Sequence, residues 1–149
     1  MRWKHPVGRC IIFLALVGTV LSLAACASSS SSTPPPSNVK AVQCDASNII
    51  WEVAPEAEIV NFACALGEHG GEPSLIFNVG VKNASDKDLR FRVNIFLLDM
   101  DKAAGHLVPR KGKPPVLKSG AEESVKIPFI KTTAVSKRIQ VIVAPMSID

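Results

Sequence analysis

The chain has 149 residues, 47% of them hydrophobic and 20% charged, the make-up of one ordinary globular domain with terminal extensions. Its formal charge of +4 overstates the domain: Arg2, Lys4 and Arg9 put three of the 17 basic side chains and none of the 13 acids into the first 25 residues, so a chain starting at Cys26 carries +1. That near-neutral balance excludes the broad basic footprint of a nucleic-acid-binding protein, and no nucleic-acid partner is expected.

Residues 1–9, MRWKHPVGR, are basic, and residues 10–25, CIIFLALVGTVLSLAA, are uncharged and apolar. A basic start, an apolar stretch and small residues before a cut site make a secretory signal. An uncleaved anchor needs about 20 apolar residues, and this shorter run is interrupted by Gly18, Thr19 and Ser22. The apolar run ends in Leu23-Ala24-Ala25-Cys26. These four residues resemble the lipobox of bacterial lipoproteins. The resemblance implies diacylglycerol on the Cys26 sulfur, cleavage between Ala25 and Cys26, and N-acylation of the new terminus. Several acyl chains anchor a protein stably where one holds it only marginally. Ala27, which is not Asp, follows the lipidated cysteine. By the same resemblance it directs the protein to the outer membrane, facing the periplasm, in a cell with two membranes.

Residues 26–38 then form a tether, CASSSSSTPPPSN. Serine keeps it flexible, and three consecutive prolines favour an extended polyproline II form. Beyond the cysteine it spans at most about 40 Å, enough to lift a domain off a bilayer without letting it roam. The folded domain is expected over residues 39–149, after a signal peptide at 1–25.

Cys10 falls in the leader and Cys26 carries lipid, which leaves Cys44 and Cys64 in the domain. Disulfides persist in an exported chain, so these two are expected to pair. A redox or zinc site is the weaker reading, because no CxxC occurs and zinc needs further ligands.

The domain reads as short strands between turns. NIIWEV aligns Ile49, Trp51 and Val53. Residues 55–66 are ambiguous: Pro55 followed by acids is a helix-start signal, but Val60, Phe62, Cys64 and Leu66 alternate as in a strand, the reading preferred here. SLIFNVGVKN places Leu75, Phe77, Val79 and Val81 on one face, and residues 83–88 are turn-forming. LRFRVNIFLLD places Leu89, Phe91, Val93, Ile95 and Leu97 on one face and Arg90, Arg92 and Asn94 on the other, where Phe96 and Leu98 predict a covering element. Residues 99–105 read as a turn. SVKIPFI aligns Val125, Ile127 and Phe129, with Pro128 predicting an edge or a bulge. KRIQVIVAP supplies Ile139, Val141 and Val143 as the last strand. Six or seven such strands predict an all-β, antiparallel sandwich of immunoglobulin-like shape.

From Leu75 onward the succession VKNASDKDLRFRV, IFLLDMDKAAGH and LKSGAEESVKIPF covers about 70 residues. It resembles the YcfL-like family of small bacterial lipoproteins in its turn spacing and strand pattern. That resemblance implies an uncharacterised envelope lipoprotein and supplies no catalytic residue. Neither the cysteine pair nor the serine tether follows from it.

Chemistry-bearing motifs were sought next. Gly112, Lys113 and Pro114 lack the spacing of a phosphate-binding loop, and neither GxSxG nor HExxH occurs. After the leader the only histidines are His69, in GEHGGE, and His106, both expected at the surface. Asp99 and Asp101 flank Met100 in a turn, where turn formation outweighs calcium binding or acid–base work. Met100, His106 and Met146 are the soft ligands a copper site would use, but they are scattered. No catalytic residue, metal site or cofactor is therefore expected beyond the N-acyl diacylglycerol at Cys26. In VPRKGKPPVLKSG, Arg110, Lys111, Lys113 and Lys118 lie among prolines and glycines, an exposed basic loop suited to an anionic partner. Charge is uneven overall, with six acids and no Lys or Arg over 44–74, against 13 basic and seven acidic residues over 75–149.

These features predict a lipid-anchored, non-catalytic binding or accessory module of an envelope machine such as a secretion, pilus or cell-wall complex. Its partners would be the membrane, through the lipid, and another envelope protein or cell-wall polymer. The alternative is a periplasmic carrier of a small ligand or copper.

Overall fold

A computed structural model describes residues 34–146. The leader, Ala25, the lipobox Cys26 and most of the tether lie outside the described residues. Eight strands follow one another: β1 (Val42–Gln43), β2 (Asn48–Val53), β3 (Ala57–His69), β4 (Glu72–Asn83), β5 (Arg90–Leu97), β6 (Lys102–Val108), β7 (Glu122–Ile130) and β8 (Arg138–Met146). There is no helix among the described residues. The strands form two four-stranded sheets, β1-β3-β4-β7 and β2-β8-β5-β6.

Period-two patterning builds the core. Leu75, Phe77, Val79 and Val81 of β4 and Phe91, Val93, Ile95 and Leu97 of β5 are all 0% exposed. Val125, Ile127 and Phe129 of β7 and Ile139, Val141 and Val143 of β8 join them from the neighbouring strands. Ring centroids 5.0–5.5 Å apart link Trp51 of β2 to Phe62, Phe62 to Phe77 and Phe77 to Phe129. The first contact joins the two sheets; the others run across β3, β4 and β7. Each buried ring contributes about 1.5–3 kcal/mol through the area it removes from water.

Several expectations are corrected. There are eight strands rather than six or seven, and the sheets are mixed rather than antiparallel, because β1 runs parallel to β3 and β2 parallel to β8. A parallel pair needs a crossover, and β2, lying in the opposite sheet, is the crossover between β1 and β3. The two residues of β1 are exposed and too few to show a period. The last two strands, β7 and β8, lie in different sheets, whereas the immunoglobulin order keeps its last two side by side.

The ambiguous segment is strand β3. A register shift between Ile59 and Asn61 brings both Ile59 and Phe62 to 0% exposure and leaves Val60 half-buried. An extra residue on one strand resets the alternation in this way, so Val60 does not share a face with Phe62. Leu66, further along β3, is 51% exposed. Residues 99–105 are not all turn: the turn ends at 101, and β6 begins at Lys102. GEHGGE is the tip of the β3–β4 hairpin. His69 pairs with Glu72, and only Gly70 and Gly71 turn, at φ 62° and 80°. That double positive φ is what two-residue hairpins favour. Pro128 lies on β7, the edge of its sheet, where a missing donor is tolerated.

The domain's start is stitched to the sheets. Val39 is 7% exposed and bridges Ile59, while Asn38 Nδ2 donates to the Ala57 carbonyl at 3.2 Å.

Candidate functional site

The outer face of the second sheet carries the largest concentration of chemistry. On β5 the core-facing residues alternate with Arg90, Arg92 and Asn94, so burying the first set forces the second outward. The register places Arg92 opposite Leu107 and Asn94 opposite Gly105 on β6, an edge strand. Together with His106 and Arg110 these residues line an open groove of about 630 Å³. None of the described lining residues is acidic, and three guanidinium groups share this one concavity.

Local contacts shape the groove. Arg90 Nε donates to the Pro109 carbonyl at 3.2 Å, which ties β5 to the start of the 109–121 connection. A Cβ on Gly105 would come 2.5 Å from Asn94 Oδ1, so glycine leaves room for that amide over β6. His106 pairs with the buried Val93, which assigns it to the inner side of the sheet at the β6 edge. Burial, and then the neighbouring Arg110 charge, lower its pKa, favouring the neutral imidazole.

The structure separates the basic loop. Arg110 joins the groove; Lys111, Lys113 and Lys118 are exposed and do not line it. Leu117 explains part of this division. It is 6% exposed and bridges Leu89, and the buried Asn83 donates to its carbonyl at 2.9 Å, pinning the loop before Lys118. Beyond it, the Ser119 hydroxyl bonds the Ser85 carbonyl at 2.6 Å, which holds Lys118 near the 83–88 turn.

Cys44 and Cys64 form a disulfide, with Cα atoms 4.8 Å apart. The bridge fastens the β1–β2 connection to β3, and both cysteines pack against the core. The Asp99 and Asp101 pair does not act as a unit. Asp99 accepts hydrogen bonds from the Ser136 hydroxyl and, at 2.9 Å, from the Lys137 amide. These bonds hold its carboxyl below the usual carboxylate range. Asp101 sits in the turn at φ 52°. Met100 packs against the core in the turn before β6, and His106 lies further along β6, paired with Val93. Among the described residues no group of three or more His, Cys, Asp or Glu side chains is placed to hold a metal. The amide of Asn83, which opens an Asn-Ala-Ser sequence, is bonded to Lys87 and Leu117 carbonyls.

The arginine cluster went unrecognised in the sequence as a site. Its signal was the Arg90, Arg92, Asn94 alternation; the missing half was β6, whose pairing supplies the floor.

Compared with protein-family models, curated proteins and solved structures, the chain gives no match.

Proposed function

We propose that this protein is a lipid-anchored, non-catalytic binding module of the cell envelope, held to the outer membrane through Cys26. We read it as a bacterial lipoprotein of YcfL-like type whose two sheets form a sandwich of immunoglobulin-like shape without that fold's strand order. The observation that carries the binding role is the groove of Arg90, Arg92 and Arg110 with Asn94. Convergent guanidinium groups recognise anionic groups bidentately. A rigid sheet beneath them holds the constellation ready-made, which lowers the ordering cost of binding. The disulfide supports export, because such bonds persist in oxidising compartments. The tether sets the distance, leaving the groove within about 40 Å of the anchor beyond the domain's own size.

Two experiments test this reading. Cys26→Ala is expected to move the protein from the membrane to the soluble fraction; unchanged tight retention overturns the anchor. A photo-crosslinker at Leu107 is expected to capture an envelope component in intact cells, with capture lost in Arg92→Gln. Capture only from exposed positions outside the groove, such as Lys126, relocates the binding surface and removes the role assigned to this face.

A further inference from the structure

We propose that the groove on β5 and β6 is a binding site for a phosphate-bearing ligand. The inference rests on the binding-module reading and adds the chemical class of what is bound.

The donor count points to that class. A carboxylate offers two oxygens with about four acceptor sites, whereas each guanidinium brings five N–H donors. Three arginines line the groove, and among the described residues the one hydrogen bond they make is from Arg90 Nε to the Pro109 carbonyl. The terminal nitrogens of Arg90 and the forks of Arg92 and Arg110 exceed what one carboxylate can accept. A phosphate has more oxygens and a larger charge, and so accepts from several forks at once. Asn94 adds an amide that serves a neighbouring hydroxyl or ester oxygen. Arg90 and Arg92 are two residues apart on one face, about 7 Å along the strand. That spacing suits a diphosphate or a pair of phosphates as well as one group gripped from two sides.

The floor points the same way. Gly105 and Leu107 face the ligand side between the cations, an uncharged strip beside the arginines. It accommodates the uncharged body to which a phosphate is esterified. A volume near 630 Å³ is within the range of small-molecule sites. The acidic stretch 44–74 contributes none of the described lining residues, which all come from 90–110. Among those described residues the ligand's negative charge meets no opposing carboxylate.

Phosphate in the envelope comes as a lipid headgroup or as a group on a soluble or polymeric molecule. The chemistry at the groove is the same, and the test separates the sources. Sodium pyrophosphate is titrated calorimetrically into the full lipidated protein in nonionic detergent. Saturable one-to-one binding is expected, weakened about tenfold or more by Arg92→Gln, with loss of a charged hydrogen-bonding partner. Arg92→Lys is expected to recover only part of the affinity, since it keeps the charge and loses the fork. Lys111→Gln, Lys113→Gln and Lys118→Gln remove the same charge outside the groove and are expected to change affinity less than about twofold. Equal losses in the lysine and arginine variants would overturn the site in favour of diffuse attraction, as would binding that never saturates. Citrate binding as tightly as pyrophosphate would overturn the phosphate class.

The same titration is then repeated on protein reconstituted in phosphatidylcholine vesicles with and without phosphatidylglycerol, at about 0.3 M salt to shorten the Debye length. A several-fold drop with phosphatidylglycerol assigns the groove to lipid headgroups; unchanged affinity assigns it to a non-lipid phosphate. Unchanged melting of Arg92→Gln keeps a folding defect out of the result. Failure to bind pyrophosphate, with membrane retention and crosslinking intact, removes the phosphate proposal and leaves the binding module standing.

Discussion

The β3–β4 and β5–β6 hairpins follow one pairing rule and present different surfaces. Each is an antiparallel pair with an inner apolar face. In the first, glycine is needed at the turn, where Gly70 and Gly71 take φ 62° and 80° and nothing lies within 4 Å of an added Cβ. In the second, glycine is needed in mid-strand, where Gly105 has no positive φ but would press on Asn94. One hairpin uses glycine for backbone freedom and the other for space. The first spends its bulky residues on closing the core. The second places Ala103, Gly105 and Leu107 on the outer face of β6, an uncharged floor beside the long side chains of β5.

Substitutions sharpen that contrast, beginning with the largest effect. Phe77→Ala, in the centre of the aromatic row of the first sheet, is expected to cost about 3–5 kcal/mol in a denaturant titration. A cost below about 1 kcal/mol would mean that the row does not support the first hairpin. Replacing both Cys44 and Cys64 by Ala removes a link of sequence separation 20 and is expected to cost about 3 kcal/mol. The same titration under reducing conditions should bring the parent protein down to the variant. Gly71→Val forces a β-branched residue into the left-handed region and should cost about 1–2 kcal/mol. Gly105→Ala, by contrast, should leave the unfolding free energy within about 0.5 kcal/mol of the parent. It should nevertheless weaken pyrophosphate binding, because the Asn94 amide must swing aside; a destabilisation as large as that of Gly71→Val would erase the distinction between the two glycines.

The smallest effect concerns the turn after β5. Asp99 has a folded-state pKa below its unfolded value, because Ser136 and the Lys137 amide bond its ionised form. Its contribution is present above the unfolded carboxylate range, near pH 4, and is lost as pH falls through the folded value. Asp99→Asn should lower stability at neutral pH and flatten the acid limb of a stability–pH curve. Parallel curves for the two proteins would show that this carboxylate does not anchor the second hairpin's turn.

How much was legible differs between these regions for physical reasons. Phe77, Val79 and Val81 alternate with Asn78, Gly80 and Lys82, so most of β4 and its inner face follow from period two, Ile76 being the exception. Phe91 to Leu97 show the same for β5, and Arg90, Arg92 and Asn94 were legible as its outer face. β6 was hidden because KAAGHLV offers small residues and no strong alternation; pairing with β5 makes it a strand, not propensity. The cover expected over Phe96 and Leu98 is not found among the described residues: Phe96 lies between Gln140 and Ala103 and is half-buried, and Leu98 is 39% exposed. The bulge at Ile59 and Asn61 was equally hidden, since alternation alone assigns Val60 to the core face.

By itself the sequence determined an all-β domain, the inner faces of β4, β5, β7 and β8, and the two cysteines that pair there. These depend on local periodicity and on residue type, which are properties of the chain alone. Only the tertiary structure decided that two pairs of strands run parallel and that β6 exists as an edge. Only it separated Arg110 from Lys111, Lys113 and Lys118 and set it beside Arg90 and Arg92. The parallel pairs depend on which distant segment meets which, set by burying two sheets against each other, and no window of neighbouring residues contains them. The β5–β6 pairing is local in sequence, but the small residues of β6 carry no strong alternation to announce it.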